Sequence, residues 1–298
     1  MRQRNLGRGF SMQLHEPATN GLQVVRASPL QRERLGFSDL LIESPTWPEL
    51  ERSFAGYKVL PPKFAPRSGR RPRRRTLLNA SSEPGRWAGV VSPCPAADRL
   101  VRVGCQWATP RVGVPAHAPL GMNFAASFWT GLDGDLGTSD VVQAGCDGQV
   151  VATPGGPQIS YRPWYEWYPG ITEWITNLAV SQGDVLRCIL TVNAANMASA
   201  TVMLANVTTN QLIQPFTIQA PPGQRLAGNC AEWIVEGFGS LGPMAVFDPV
   251  RFNGCSATSA NGRLVTGGAG RTLNIVDGGL TLAAAQITSP TDVRVIYV

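Results

Sequence analysis

From Trp87 onward the chain alternates in short runs, and turn-forming Asx-Gly pairs interrupt it repeatedly. Val185 to Val192, Ala200 to Val207, Gln211 to Gln219, Ala231 to Glu236 and Asp292 to Val298 each place apolar side chains at a period close to two. That period suits a strand, whose successive side chains point to opposite faces. Asp133-Gly134, Asp147-Gly148, Asn253-Gly254, Asn261-Gly262 and Asp277-Gly278 read as the turns between strands. No long amphipathic helix competes with this pattern. Short strands at regular spacing predict an all-β sandwich or barrel, and about 210 residues suffice for two stacked sheets in one domain.

The first 85 residues differ. Residues 1 to 80 hold 15 Lys and Arg against 6 Asp and Glu, a net of +9; residues 81 to 298 hold 11 Arg and no Lys against 14 acids, a net of −3. The chain's formal +6 therefore belongs to its first quarter and is no sign of a nucleic-acid-binding body. Six arginines fall within residues 67 to 75, and such a run repels itself and resists folding. Residues 1–85 are read as a basic, proline-rich and mostly irregular pro-segment or tail, with 86–298 the β-domain. A cleavage near Arg75 or shortly after it is the expectation.

Six cysteines (94, 105, 146, 188, 230 and 255) lie in the body, none spaced as CxxC. They allow up to three disulfides and an oxidising compartment, in any of 15 pairings. Asn79-Ala80-Ser81 and Asn206-Val207-Thr208 are glycosylation sequons. No apolar run approaches the roughly 18 residues of a membrane span. The N-terminus, although basic, has no apolar core of the kind a signal peptide carries.

Residues 164 to 169, Trp-Tyr-Glu-Trp-Tyr-Pro, set one carboxylate among four of the chain's 23 aromatic rings. On a strand Trp164, Glu166 and Tyr168 share one face. A glutamate between rings on a half-buried face has hydrogen-bond partners or a raised pKa. Either suits an active site, and so does the plainer reading, a cleft wall. Several chemistries are excluded. The body's one histidine, His117, sits in a Pro-Ala-His-Ala-Pro loop with no companion base, and H-E-x-x-H, paired Asp-Thr/Ser-Gly loops and a phosphate-cradling glycine loop are absent. What remains is carboxylates, amides and aromatics, with no metal or cofactor called for.

Three further segments complete a pattern: Phe128-Trp129-Thr130-Gly131-Leu132-Asp133-Gly134-Asp135, Val141-Val142-Gln143-Ala144-Gly145-Cys146-Asp147, and Cys230-Ala231-Glu232-Trp233-Ile234-Val235-Glu236-Gly237-Phe238. With the Trp164 strand they resemble, in order, the motifs of the glutamic peptidases, the eqolisin family of acid endopeptidases, over roughly Trp87 to Val298. The resemblance implies a sandwich of two antiparallel sheets of the jelly-roll, concanavalin-like type, an N-terminal pro-segment, secretion, and activity at acidic pH. It implies that Gln143 and Glu236 are catalytic and that Trp129, Asp133 and Glu166 line the cleft; Trp164 and Tyr168 beside Glu166, Glu232 on the strand face of Glu236, and Asp147 are the further candidates for substrate-binding or supporting residues. Arg162 departs from the acidic residue expected just before the aromatic motif.

The chemistry follows from the residue types. Metal-free hydrolysis without a covalent nucleophile needs a base for water, an acid for the leaving amine and a donor for the oxyanion. Glu236 can be base and then acid, and the amide of Gln143 can donate without titrating at low pH. The expectation is a monomeric endopeptidase acting on polypeptides near pH 2 to 5, with no nucleic-acid partner. Two alternatives are a carbohydrate-binding sandwich using the aromatic cleft, and a glycosidase with Glu166 and Glu236 as its pair.

Overall fold

The computed structural model describes residues 2–5, 11–16, 18, 28–35, 56–67, 85–237 and 243–298. Two large sheets face each other. The back sheet runs Arg2–Asn5, Ser11–Leu14, Gln211–Gln219, Ser199–Asn206, Val185–Val192, Leu100–Ala108, Val250–Ser259, Asp292–Tyr297, Leu280–Ser289 and Ile275–Asp277, with Leu264–Thr266 and Lys58–Leu60 added at its sides. The cleft sheet runs Arg271–Leu273, Trp87–Pro93, Cys230–Gly237, Asn123–Asp133, Val141–Val151, Gln158–Tyr168, Glu173–Ile175 and Phe64–Pro66. Among the described strands, the pairing of Lys58–Leu60 with Gln211–Gln219 is parallel and the other ladders are antiparallel. The expected all-β sandwich is what forms. Among the described residues, no helix is long and apolar enough to cross a membrane.

Alternation explains the layering. Phe128, Val142, Ala144, Tyr165, Trp167, Trp233 and Val235 point from the cleft sheet onto Leu100, Trp107, Leu186, Leu204, Phe216 and Phe252 of the back sheet in one buried cluster. Each such side chain contributes roughly 1.5–3 kcal/mol by leaving water. The indole of Trp233 also satisfies its N–H across the layer, donating to the Gly104 carbonyl at 3.2 Å. Residues one step out of phase, including Trp129, Trp164, Trp174 and Ile234, form a second apolar cluster on the other face of the cleft sheet.

Two turn signals have other uses. Asp147-Gly148 lies inside the Val141–Val151 strand: a Cβ on Gly148 would approach Val112 to 2.6 Å, so the glycine serves a close contact and Asp147 faces the cleft. Asn253-Gly254 lies inside Val250–Ser259 at a register shift, where Gly254 has φ 65°; it is a bulge. Pro215, which cannot donate to a ladder, coincides with another such shift opposite Met203. Asp133-Gly134, Asn261-Gly262 and Asp277-Gly278 do turn the chain.

All six cysteines are free thiols, five of them buried and Cys94 half-buried. The disulfides the sequence allowed are therefore not formed, even between Cys105 and Cys188, which lie opposite each other on neighbouring strands. Burial pushes these thiols up, and they behave as small apolar core residues. Arg70 to Arg75, the expected cleavage region, and the Asn79 sequon lie outside the described residues, as does Phe238. The described parts of residues 1–85 add short strands to both sheets and one helix, Pro29–Arg34.

Candidate active site

Four adjacent strands of the cleft sheet bring the sequence motifs together on the face away from the sandwich core. One row across the sheet reads Glu236, Ser127, Asp147, Arg162; the next Ile234, Trp129, Gly145, Trp164, Trp174; the next Glu232, Gly131, Gln143, Glu166. The glycines are required by the middle of this surface. A Cβ on Gly145 would lie 2.5 Å from the Trp129 Cβ and 2.3 Å from the Phe128 carbonyl oxygen, so only glycine lets Trp129 lie across the neighbouring strand.

Gln143 is 6% exposed and its amide is oriented by Glu166: Nε2 donates to Glu166 Oε2 at 2.9 Å. Thr172 Oγ1 donates to the other carboxylate oxygen at 3.0 Å. Gln143 Oε1, although buried, has no protein partner. One amide hydrogen is thus occupied, and the other hydrogen and the oxygen remain for a ligand. Burial is the main cause that raises Glu166 to about 7; repulsion by Glu236 adds to it, while Thr172, Arg67 and Gln143 oppose it.

Glu236 is half-buried at the end of its strand and accepts from the indole N–H of Trp129 at 3.2 Å. Trp87 stands edge-on to Trp129, ring centroids 5.0 Å apart, beside the Glu236 carboxylate. Burial raises the Glu236 pKa; Trp87, Arg67 and Trp129 counter it, and Asp147 reinforces it. The site is thus a carboxylate held by the Trp129 indole and an amide held by a second carboxylate, on one face two strands apart.

The other candidates fall in different places. Asp147 is fully buried, accepts from Ser127 Oγ at 2.7 Å, and is ion-paired to Arg67 at 2.9 Å. Trp164 donates to the same Ser127 oxygen at 3.1 Å. Burial raises Asp147 to about 6 against Arg67, Ser127, the nearby Trp164 indole and Arg162. Glu232 shares the face of Glu236 but is wholly buried; one oxygen meets Cys230 Sγ at 3.6 Å and the other has no partner. Its pKa is raised well above the usual range by burial and by Asp135, Asp133 and Glu236. Tyr168 closes its strand, half-buried, before a cis peptide to Pro169.

Asp133 sits at a strand end with φ 63°. Its two oxygens accept the backbone N–H groups of Ala227, Gly228, Asn229 and Cys230 at 2.7, 2.8, 2.6 and 3.4 Å, tying down the loop that feeds the Glu236 strand. Asp133→Ala leaves four donors without their acceptor, two of them in buried contacts. We expect urea denaturation to show a loss of about 3–5 kcal/mol; a loss below about 1 kcal/mol contradicts the role.

Sequence reasoning did not single out Trp87, Ser127, Thr172, Trp174 or Arg67 as part of the site. Ser127 was findable, since it stands two residues before Trp129 on the same strand face. Arg67 was not, because nothing local distinguishes it from the arginines that follow.

The open face of one sheet of a β-sandwich thus gathers an amide, several carboxylates and several indoles. The chain belongs to the peptidase A4 family, whose model matches residues 85–297, and it is a peptidase of the glutamic type. It is similar to aspergillopepsin-2 of Aspergillus niger, 28% identical over 226 residues covering 70% of this chain and 77% of that protein. Scytalidopepsin B of Scytalidium lignicola is 29% identical over 216 residues, 66% and 76% of the respective chains. Among solved structures, scytalido-glutamic peptidase with a transition state analog inhibitor shares the fold, with TM-score 0.60 at 23% identity over 72% of this chain and 98% of that one. Aspergilloglutamic peptidase from Aspergillus niger matches with TM-score 0.51 at 33% identity over 59% and 99%.

Proposed function

We propose that the chain is an acid endopeptidase that hydrolyses polypeptides without a covalent intermediate, with Glu236 and Gln143 as its catalytic residues. The observation that carries this reading is the pair of opposite constraints on the amide. Glu166 takes one Nε2 hydrogen of Gln143, which orients the other for the oxyanion of the scissile carbonyl and leaves Oε1 to accept from the attacking water. Glu236 removes a proton from that water and returns it to the leaving amine, while the indole N–H of Trp129 holds the carboxylate in place.

The pH dependence follows from the same environment. Glu236 must be ionised to act as base, and burial moves its pKa upward from 4.5. Glu166 takes up a proton below about 7, which removes a negative charge that opposes ionisation of Glu236. Activity then rises through the Glu236 pKa and declines as Glu166 ionises, giving an acidic optimum. Secretion, a monomeric state, the division at residue 85 and processing of the N-terminal segment belong to the same proposal.

Incubation of the full chain with a denatured protein across pH 2–8 tests it, with chelator, serine reagent and pepstatin present. Peptide-bond cleavage that survives all three is the expected outcome. Gln143→Ala should reduce it about 10²–10³-fold, the usual cost of one oxyanion donor. Saturable polysaccharide binding with no cleavage at any of these pH values would replace the reading by the carbohydrate-binding alternative.

A further inference from the structure

The hairpin that follows the aromatic strand puts Thr172 beside Glu166. Trp164 pairs with Trp174 and Tyr165 with Glu173, so one further step of the same register sets Thr172 opposite Glu166 on the cleft face of the sheet. The Thr172 backbone is held from its other side, where its carbonyl accepts the N–H of Arg67 at 3.1 Å. Its hydroxyl lies 3.0 Å from Glu166 Oε1, while Glu166 Oε2 accepts from Gln143 Nε2 at 2.9 Å. Hydroxyl, carboxyl and amide thus form one line, and at its end Gln143 Oε1 is buried without a protein partner.

The two oxygens of Glu166 have partners of different kinds. The Gln143 NH2 can only donate, whereas a hydroxyl both donates and accepts. Ionised Glu166 accepts from both neighbours. Neutral Glu166 carries a proton on one oxygen, and a proton on Oε2 would face the Nε2 hydrogens head-on. On Oε1 the proton finds an acceptor, because the Thr172 hydroxyl can turn and present its oxygen. The bond to Thr172 then reverses and the bond to Gln143 does not. Burial, reinforced by the charge of Glu236, keeps Glu166 neutral below about 7 against Thr172, Arg67 and Gln143, so the reversed state is the one present in acid. Without the hydroxyl, the proton has its acceptor only if the amide turns over and offers Oε1 to Glu166. The turned amide no longer has an oxygen for the attacking water, and its NH2 is displaced from the oxyanion.

We propose that Thr172 is a positioning residue for the Gln143 amide: its hydroxyl donates to the Glu166 carboxylate and accepts from the Glu166 carboxylic acid, so the amide keeps one orientation in both ionisation states of Glu166. This rests on the reading of Gln143 as oxyanion donor and adds the residue that preserves its orientation in acid.

The test uses the full chain with Thr172→Val, which keeps the branched shape without the hydroxyl, with Thr172→Ala in case valine disturbs folding, and with Thr172→Ser, which keeps the hydroxyl. At pH 4.5 kcat of the valine and alanine variants should fall about tenfold with KM within about threefold of wild type, the factor an unmade buried hydrogen bond puts on the balance between the two amide orientations. The deficit should shrink as pH rises past 7 and Glu166 ionises, and Thr172→Ser should restore the wild-type profile. A deficit equal at all pH values, or the same deficit in Thr172→Ser, overturns the proposal. NMR follows the amide itself, with the Gln143 side-chain signals assigned by their absence in Gln143→Ala. In the wild-type chain one Nε2 proton should stay shifted downfield at both pH 4.5 and pH 9. In Thr172→Val and Thr172→Ala that shift should be present at pH 9 and lost at pH 4.5; its retention at pH 4.5 also overturns the proposal. Signals that behave as expected in a chain that cleaves no peptide refute the peptidase reading while the positioning stands.

Discussion

Glu236→Gln lowers kcat/KM for peptide hydrolysis by about 10³-fold, within the range a positioned general acid–base group supplies. The substitution keeps the size of the side chain and an oxygen to accept from Trp129, so neither packing nor the Trp87–Trp129 contact is lost. It removes the one function an amide lacks, the ability to take a proton from water and give it back. Glu166→Gln is the informative contrast. Glu166 is protonated below about 7, so at acidic pH the neutral amide resembles the state it replaces and the loss is smaller. The Glu236 substitution also removes the charge that raises Glu166, so the alkaline limb of any residual activity moves to lower pH. Retention of most activity by Glu236→Gln would rule out the mechanism.

The protein gains stability in acid. Asp147 is raised from 3.8 to about 6 and Glu166 from 4.5 to about 7, in both cases mainly by burial. Each group in the folded state therefore holds its proton at pH values where the unfolded chain has released it. The favourable difference is complete below the unfolded values near 4 and is lost as pH rises through 6 and 7. At about 1.4 kcal/mol per pH unit each group changes stability by on the order of 3 kcal/mol between pH 4 and pH 8. Glu232, Glu236 and Asp133 are raised too and act in the same direction. Urea midpoints should fall from pH 4 to pH 8, and Asp147→Asn and Glu166→Gln should each flatten the profile. A midpoint that stays level or climbs toward pH 8 would show that these carboxylates are not buried as described.

The strands were legible because the signal for them is local. Val185–Val192 and Gln211–Gln219 appear with the limits their alternation suggests, and Cys230–Gly237 extends the expected Ala231–Glu236 by one residue at each end. Glycine signals were less specific. The same Asx-Gly pair that turns the chain at Asp277-Gly278 sits mid-strand at Asp147-Gly148, because a glycine is needed equally for positive φ and for close approach to Val112. The cysteine count could not choose between disulfides and buried free thiols for a related reason: pairing depends on geometry that the count of six does not contain.

The site divides along the same line. Sequence by itself determined that the body would be a β-sandwich and, within single strands, that Trp164 and Glu166 share one face and Glu232 and Glu236 another, because alternation is a property of the chain. Only the tertiary structure decided the division of labour among the acids. Glu166 orients an amide, Asp133 anchors a loop, Glu232 is sealed in, and Asp147 holds an arginine from a segment 80 residues earlier. Those assignments depend on burial and on which donor stands within about 3 Å, and both are set when distant strands come to lie side by side.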